Sequence, residues 1–388
     1  MTRALSGLSV VDFTTTIAGP HCTRLLADLG ADVVKIEPPE GDLMRSRMPL
    51  RNGASTSFGQ LNAGKKSVVL DLKSAKAVEA VHRLAERADV VVENFRPGVM
   101  WRLGLDYAAL GKANRRLVYC AISGYGQTGP SANLPAYAPV IHAASGYDLA
   151  HLSYQPDRAR PDNCGIYIAD VLSGTYAFGA ILAALNQRET TGLGQLIDVS
   201  MLESMLTLTL PEMQLAQFNV PPPGRHLFGP VATAEGFISV AVASERTFQG
   251  LAAATGRLDW LRDPRFAAYP DRRANWDKLM DELEAWTKRR GTTECLGALD
   301  AHGVPAAAYR TVREAMNDPQ LAHRSAFSEV RDSGGSFRAL NPPFRMSASA
   351  ACVGGHAPAL GEHTRCVLQA AGFWDAEIDV LIECGGSR

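Results

Sequence analysis

The sequence predicts an α/β fold with a parallel central sheet. Short β-branched runs alternate with stretches of helical periodicity from the first residues onward, and one complete β-α-β unit fits within the opening segment. Ser9 to Phe13 (SVVDF) reads as a short buried strand. From His21 to Leu29 the apolar positions recur at helical spacing, and Gly30 supplies a stop. Asp32 to Glu37 (DVVKIE) is the second strand.

The alternation continues with a strand over Lys66 to Leu72 and a helix from about Ser74, on which Val78, Val81, Leu84, Ala85 and Ala88 share a face. Asp89 to Phe95 (DVVVENF) is a strand stopped by Pro97, followed by a short helix at Val99 to Leu103 and a strand at Leu117 to Ser123. Parallel sheets covered on both faces have this order. Further on, Val171 to Arg188 is a long apolar helix, Gln195 to Val199 a strand, and Leu202 to Phe218 one helix. Residues 221–227 contain Pro221, Pro222, Pro223 and Gly224 and read as a linker. The expected layout is a large α/β domain over 1–220, a small domain over 228–326, and a return that completes the large domain over 327–388. The small domain carries a strand at Gly236 to Ala243 and a charged helix at Trp276 to Arg289. The tail after Ala339 ends in one helix.

At 388 residues the chain exceeds one simple core. Its 46% hydrophobic and 20% charged residues are those of a globular protein. A net charge of −1, with both signs mixed, argues against a nucleic-acid partner, which demands clustered Lys and Arg. The seven cysteines form no CxxC pair, so neither a metal site nor a disulfide framework is expected. The N-terminus lacks a signal-peptide pattern, and no apolar run approaches the roughly 20 residues that cross a bilayer. A soluble, cytoplasmic protein with no membrane partner is expected.

Several motifs bear on chemistry. Gly124, Gly126 and Gly129 fit GxGxxG after a strand, but Pro130 and Pro135 leave no room for the helix that must hold a pyrophosphate. A dinucleotide cofactor is therefore not expected. Gly192 and Gly194 run from helix to strand, the wrong polarity for a phosphate cradle. The loop Thr14 to Pro20 (TTTIAGP) lies at the carboxyl end of a strand, where ligands of open α/β sheets bind, and Gly19 would permit close backbone approach. Asn94, Phe95 and Arg96 end another strand and could offer an amide hydrogen bond, a stacking ring and a phosphate partner. Asp170 stands just before the long apolar helix. It reads either as the helix N-cap or as an ionised carboxylate able to attack a thioester. No Ser/His/Asp signature accompanies the scattered histidines.

Together the segments LSGLSVVDFTTTIAGPHCTRLLADLGADVVKIEPPEGD, NAGKKSVVLDLK, ENFRPGVMWRLGLDY, GYGQTGP, TGLGQLIDVSMLESML, RDPRFAAYPDRRANWDKL and APALGEHT resemble the class III CoA-transferase family, which includes the α-methylacyl-CoA racemases. The resemblance spans nearly the whole chain. It implies a Rossmann-like large domain built from both chain ends, a smaller late-inserted domain and an interlocked homodimer. It also implies Asp170 as the covalent nucleophile, with Thr15, Thr16, Asn94, Phe95, Arg96 and Arg102 as CoA contacts. Acyl-CoA and a carboxylic acid are the implied substrates. No metal or resident cofactor is implied, since CoA enters as the thioester. Pro38 replaces the Arg of formyl-CoA transferases, which argues against oxalate/formate specificity. Tyr137, in the substrate pocket, stands where the racemases carry a catalytic His. A tyrosine hydroxyl, ordinarily near pKa 10, is a poor base at neutral pH, so transfer is favoured over racemisation. An acyl-CoA isomerase with another base, or a non-catalytic acyl-CoA binder, are the alternatives.

Overall fold

The computed structural model describes residues 3–155, 158–161, 164–218 and 228–384. The chain divides into two compact units, Met1–Asn219 with Leu321–Arg388, and Val220–Gln320. The linker expected over 221–227 lies outside the described residues.

The first unit opens with β1 (Ser9–Asp12), α1 (Ala18–Asp28) and β2 (Asp32–Glu37). It continues through β3 (Lys66–Val69), α2 (Ala75–Arg87), β4 (Val90–Glu93) and β5 (Val118–Ser123). Then follow α3 (Ala138–Ala144), α4 (Ile168–Thr191), β6 (Leu196–Ser200) and α5 (Met201–Leu206). The six strands form one parallel sheet in the order β3-β2-β1-β4-β5-β6. The α/β class and parallel sheet read from the sequence are therefore present. Chain order reverses between β1 and β4, and beyond the loops that follow these two strands the chain packs on opposite faces of the sheet, Cys22 and Leu26 on one and Met100 and Leu110 on the other, which leaves a crevice at the strands' carboxyl ends.

The pleat sends alternate side chains to opposite faces. Val11, Val34, Val91 and Tyr119 pack with Ala77, Ala80 and Val81 of α2, and with Val367, Leu368 and Ile378 near the C-terminus. Val10, Val33, Val92, Cys120 and Ile122 pack with Cys22 and Leu26 of α1 and with Ala177, Ile181 and Ala184 of α4.

Three expectations need correction. The helix expected over Leu202 to Phe218 is two, α5 and Leu210–Leu215, because Thr209 and Pro211 restart the backbone at a new N-terminus. The tail ends in two helices, Thr364–Ala370 and Asp375–Cys384, separated at Gly372, whose φ is 87°. Finally, α4 is longer than expected and is, by length and composition alone, apolar enough to cross a bilayer. In this unit one side of it is core, as the burial of Ala169, Ala177, Ile181 and Ala184 shows.

The second unit holds a three-stranded antiparallel sheet of β7 (Val231–Ala232), β8 (Phe237–Val240) and β9 (Ala306–Ala308), with β8 central. Its own core gathers Phe248, Trp260, Phe266, Trp276, Leu279 and Leu299.

Candidate active site

The crevice at the β1/β4 reversal is built on buried charge. Asp12 ends β1 with no exposed surface, and its Oδ1 accepts from both the N–H and the hydroxyl of Thr14, at 2.8 and 2.5 Å. Its Oδ2 accepts from Thr23 at 2.7 Å and from Lys65 Nζ at 3.0 Å. Lys35 rises from the middle of β2, equally buried, to pair with Asp42 at 2.9 Å and donate to the Thr14 carbonyl at 2.6 Å. Burial opposes charge on all these groups, yet Lys35 and Lys65 hold the Asp12 carboxyl below its ordinary value, and Lys35 does the same for Asp42. Buried pairs repay their desolvation only when geometry and further hydrogen bonds are good, and these pairs have both.

What they fix is the first loop. Asp42 Oδ1 accepts from Thr15 Oγ1 and from the Thr16 N–H, both at 3.2 Å, and from the Met44 N–H at 2.9 Å. Thr16 is held at φ 64°, a conformation a β-branched residue rarely adopts unless its surroundings impose it. The second loop is stitched to the first by Asn94: its Oδ1 accepts from the Thr15 N–H and its Nδ2 donates to the Thr15 carbonyl, each at 2.9 Å. Asn94, expected to touch CoA, thus gives one bond from each end of its amide to joining the two loops. Glu93 accepts the Phe95 N–H at 2.8 Å, and burial pushes its carboxyl up to about 8.

Asp170 closes the cleft from above. The sequence placed it just before the helix, where it could be the N-cap, the nucleophile or both. It lies instead in the first turn, because α4 starts at Ile168 and Tyr167 is the cap residue, without a capping side-chain bond. The helix can begin there because its early N–H groups find other acceptors, among them His142 Nε2, which accepts from Ala169 at 3.2 Å. The backbone N–H groups of Asp170 itself and of Ala18, the first residue of α1, favour the ionised carboxylate. Two helix N-termini therefore face one carboxylate. Burial still dominates and raises it from 3.8 to about 6.

Gly174, one turn along α4, makes this convergence geometrically accessible. A Cβ there would stand 2.3 Å from the Ala18 carbonyl oxygen. Gly19 has a different role from the one expected: its vacant side is filled by the Thr14 side chain, 2.2 Å from where a Cβ would lie, and is not left for a ligand.

Thr15, Thr16, Asn94, Phe95, Arg96, Tyr137 and Asp170 all line one cleft of ≈ 250 Å³, together with Ser123, Gly124 and an apolar wall of Ile122, Ala132, Leu134 and Met201. Arg102 is not among its lining residues. A second cleft of ≈ 490 Å³ shares Thr15, Leu43 and Phe95 with the first and is lined by Pro38, Asp71, Lys73, Val99 and Leu103. After Gly124 no helix begins until Ala138, so the GxGxxG segment is a loop, as its prolines required. Sequence reading missed Lys35, Asp42, Lys65 and His142. A lysine in the middle of a parallel strand, where near-continuous apolar residues are the rule, was the available signal for the first.

A desolvated carboxylate aimed into a cleft at a switch point can act as a nucleophile. Comparisons with known proteins give the family. Residues 5–364 match the model of CoA-transferase family III, and the chain belongs to that family. It is 34% identical over 379 residues to a succinyl-CoA–D-citramalate CoA-transferase of Chloroflexus aurantiacus, covering 94% of this chain and 92% of that one. It is 36% identical over 345 residues to an acetyl-CoA:oxalate CoA-transferase of Acetobacter aceti, covering 87% of each. Among solved structures, a CAIB/BAIF family protein from Brucella suis superposes with a TM-score of 0.84 at 32% identity, over 96% of this chain and 100% of that one.

Proposed function

We propose that this enzyme moves CoA from an acyl-CoA to a carboxylic acid, with Asp170 forming the covalent intermediates. One observation carries the reading: a half-buried carboxylate, raised to about 6, faces the same cleft as the residues expected to hold CoA. At neutral pH it is mostly ionised, yet more basic than an ordinary aspartate and so a better nucleophile. An Asp170 oxygen attacks the thioester carbonyl, the C–S bond breaks, and CoA thiolate leaves a mixed anhydride. The thiolate then attacks the Asp170 carbonyl, giving an aspartyl-CoA thioester and freeing the first acid. An incoming carboxylate reverses both steps and departs as the new acyl-CoA. Every step exchanges activated acyl groups of similar energy.

The two adjoining clefts suit a long substrate bent at Phe95, with the acyl thioester beside Asp170 and the nucleotide in the larger cleft near Lys73. Arg96, and Arg102 next to rim residue Leu103, are the cations assigned to its phosphates. The test is a panel: succinyl-CoA and other acyl-CoAs with different carboxylic acids, followed by mass detection of new thioesters. Absence of any new thioester across the panel would sink the reading.

Transfer is favoured over racemisation because the resemblance aligns Tyr137 with the racemase base. With a 2-methylacyl-CoA in deuterated water and no acceptor acid, no α-deuterium is expected to enter the substrate. Rapid incorporation would instead make the enzyme an isomerase.

The active form is proposed to be a homodimer. Val171 and Tyr176 of α4 are exposed, as are Leu206, Leu208 and Leu210, and the Tyr176 hydroxyl bonds Thr207 at 3.1 Å, which sets Tyr176 beside the turn between Leu206 and Leu208. An apolar surface of this kind calls for a partner, and the resemblance supplies a second copy. Sedimentation on dilution is expected to show a dimer until unfolding; a stable, active monomer would refute it.

A further inference from the structure

We propose that His142 is a positioning residue for Asp170: its Nε2 lone pair holds the Ala169 N–H and so sets the turn that carries the reacting carboxylate. The inference rests on Asp170 being the nucleophile.

His142 lies on α3 and is 1% exposed. Its Nε2 accepts from Ala169 at 3.2 Å, which requires that nitrogen to be unprotonated and places the proton on Nδ1. Nδ1 is buried and has no hydrogen-bond partner among the described residues. Buried polar groups are nearly always paired, so a ring that leaves its one donor orphaned while engaging its acceptor needs a reason. The Tyr147 ring lies 5.9 Å from the imidazole, tilted by 54°, and His151 stacks on Tyr147, so aromatic packing also holds the imidazole. Burial keeps the imidazole below its ordinary pKa although Asp148 opposes this, and the positive end of α4 further disfavours an imidazolium.

An account of the first turn shows what His142 adds. The Ile168 N–H goes to the Ile166 carbonyl at 2.9 Å and that of Val171 to the Tyr167 carbonyl at 3.1 Å. The Asp170 N–H acts on its own carboxylate, whose ionised form it favours. Those acceptors are local and move with the turn. His142 alone in this set ties the turn to another element of the fold. Without it the Ala169 donor is free to fray or to compete for the Asp170 oxygens, and the nucleophile loses its register with Ala18. A displacement of about 1 Å costs about 100-fold in rate.

The test pairs His142→Leu, which removes the acceptor, with His142→Gln, whose amide oxygen can replace it. The leucine variant is expected to lose about 100-fold in kcat with KM for acyl-CoA within about twofold, and the glutamine variant to recover most of that loss. If both are folded and equally slow, or if the leucine variant is as fast as wild type, the inference fails. Histidine-selective ¹⁵N NMR of the wild-type protein at neutral pH provides a reading independent of any variant. The Nδ1–H tautomer is expected for His142, and an Nε2–H tautomer or an imidazolium overturns the proposal. Asp170→Asn is run alongside: if it stays active the nucleophile assignment falls, whereas an inactive Asp170→Asn beside a full-speed His142→Leu removes only the clamp.

Discussion

Asp170→Asn is expected to lower CoA transfer by about 10⁴-fold or more while leaving the chain folded and, at neutral pH, more stable than wild type. The two effects have one cause. The folded-state pKa of Asp170 is raised from 3.8 to about 6, so the folded protein binds this proton more tightly than the unfolded chain. Ionisation therefore begins to cost stability as pH rises past 3.8 and costs its full amount above about 6. Two units correspond to about 3 kcal/mol at most, reduced by residual solvent at a half-buried group. The amide carries no charge to desolvate, so the stability gap between variant and wild type should be wide at pH 7.5 and close near pH 4. Chemical unfolding of both proteins at the two pH values measures it. Were Asp170 mainly a helix cap, the variant would show no such widening. The same titration should put an acid limb near pH 6 on wild-type activity, since the neutral acid is a poor nucleophile. Acyl-CoA followed by hydroxylamine should leave a hydroxamate on the Asp170 peptide of wild type and none on the variant. A folded Asn variant that transfers CoA at wild-type rate would end the covalent mechanism.

The alternation of strands and helices was readable because each element buries a local pattern: Val10, Val11, Val33, Val34 and Val90 to Val92 announce strands without help from the rest of the chain. Asp170 and the two loops were readable as candidates because they sit at element ends. How they are held was not. Lys35 looks like a polar interruption of DVVKIE, and only the fold brings Asp42 and the Thr14 carbonyl to its ammonium. Asn94 looks like a ligand contact, and only strand order puts Thr15 beside it. The start of α4 was misplaced for the same reason. Local capping rules look for a side chain at the cap position, whereas one acceptor here comes from His142 on another helix.

Gly174 sets local propensity and tertiary packing in direct opposition, which makes its replacement informative. By helix propensity alone Gly174→Ala should stabilise α4 by about 1 kcal/mol. Packing demands the reverse, because the new Cβ would lie 2.3 Å from the Ala18 carbonyl oxygen and 3.2 Å from His21 Cδ2. A side chain could rotate away, but a backbone carbonyl in the first turn of α1 moves only if the helix does. The variant is expected to lose about 1–3 kcal/mol, as overpacked contacts generally do. Its rate should fall further than stability explains, by about 100-fold for folded enzyme, because the same turn of α1 presents the Ala18 N–H to Asp170. Thermal or chemical unfolding gives the first quantity and single-turnover acylation of Asp170 the second. A more stable, fully active variant would mean that α1 and α4 do not approach this closely. A destabilised variant with wild-type acylation would mean that they do, but that the nucleophile does not depend on Ala18. Loss of both would tie the reactivity of Asp170 to an interhelical distance that only a residue without a side chain permits.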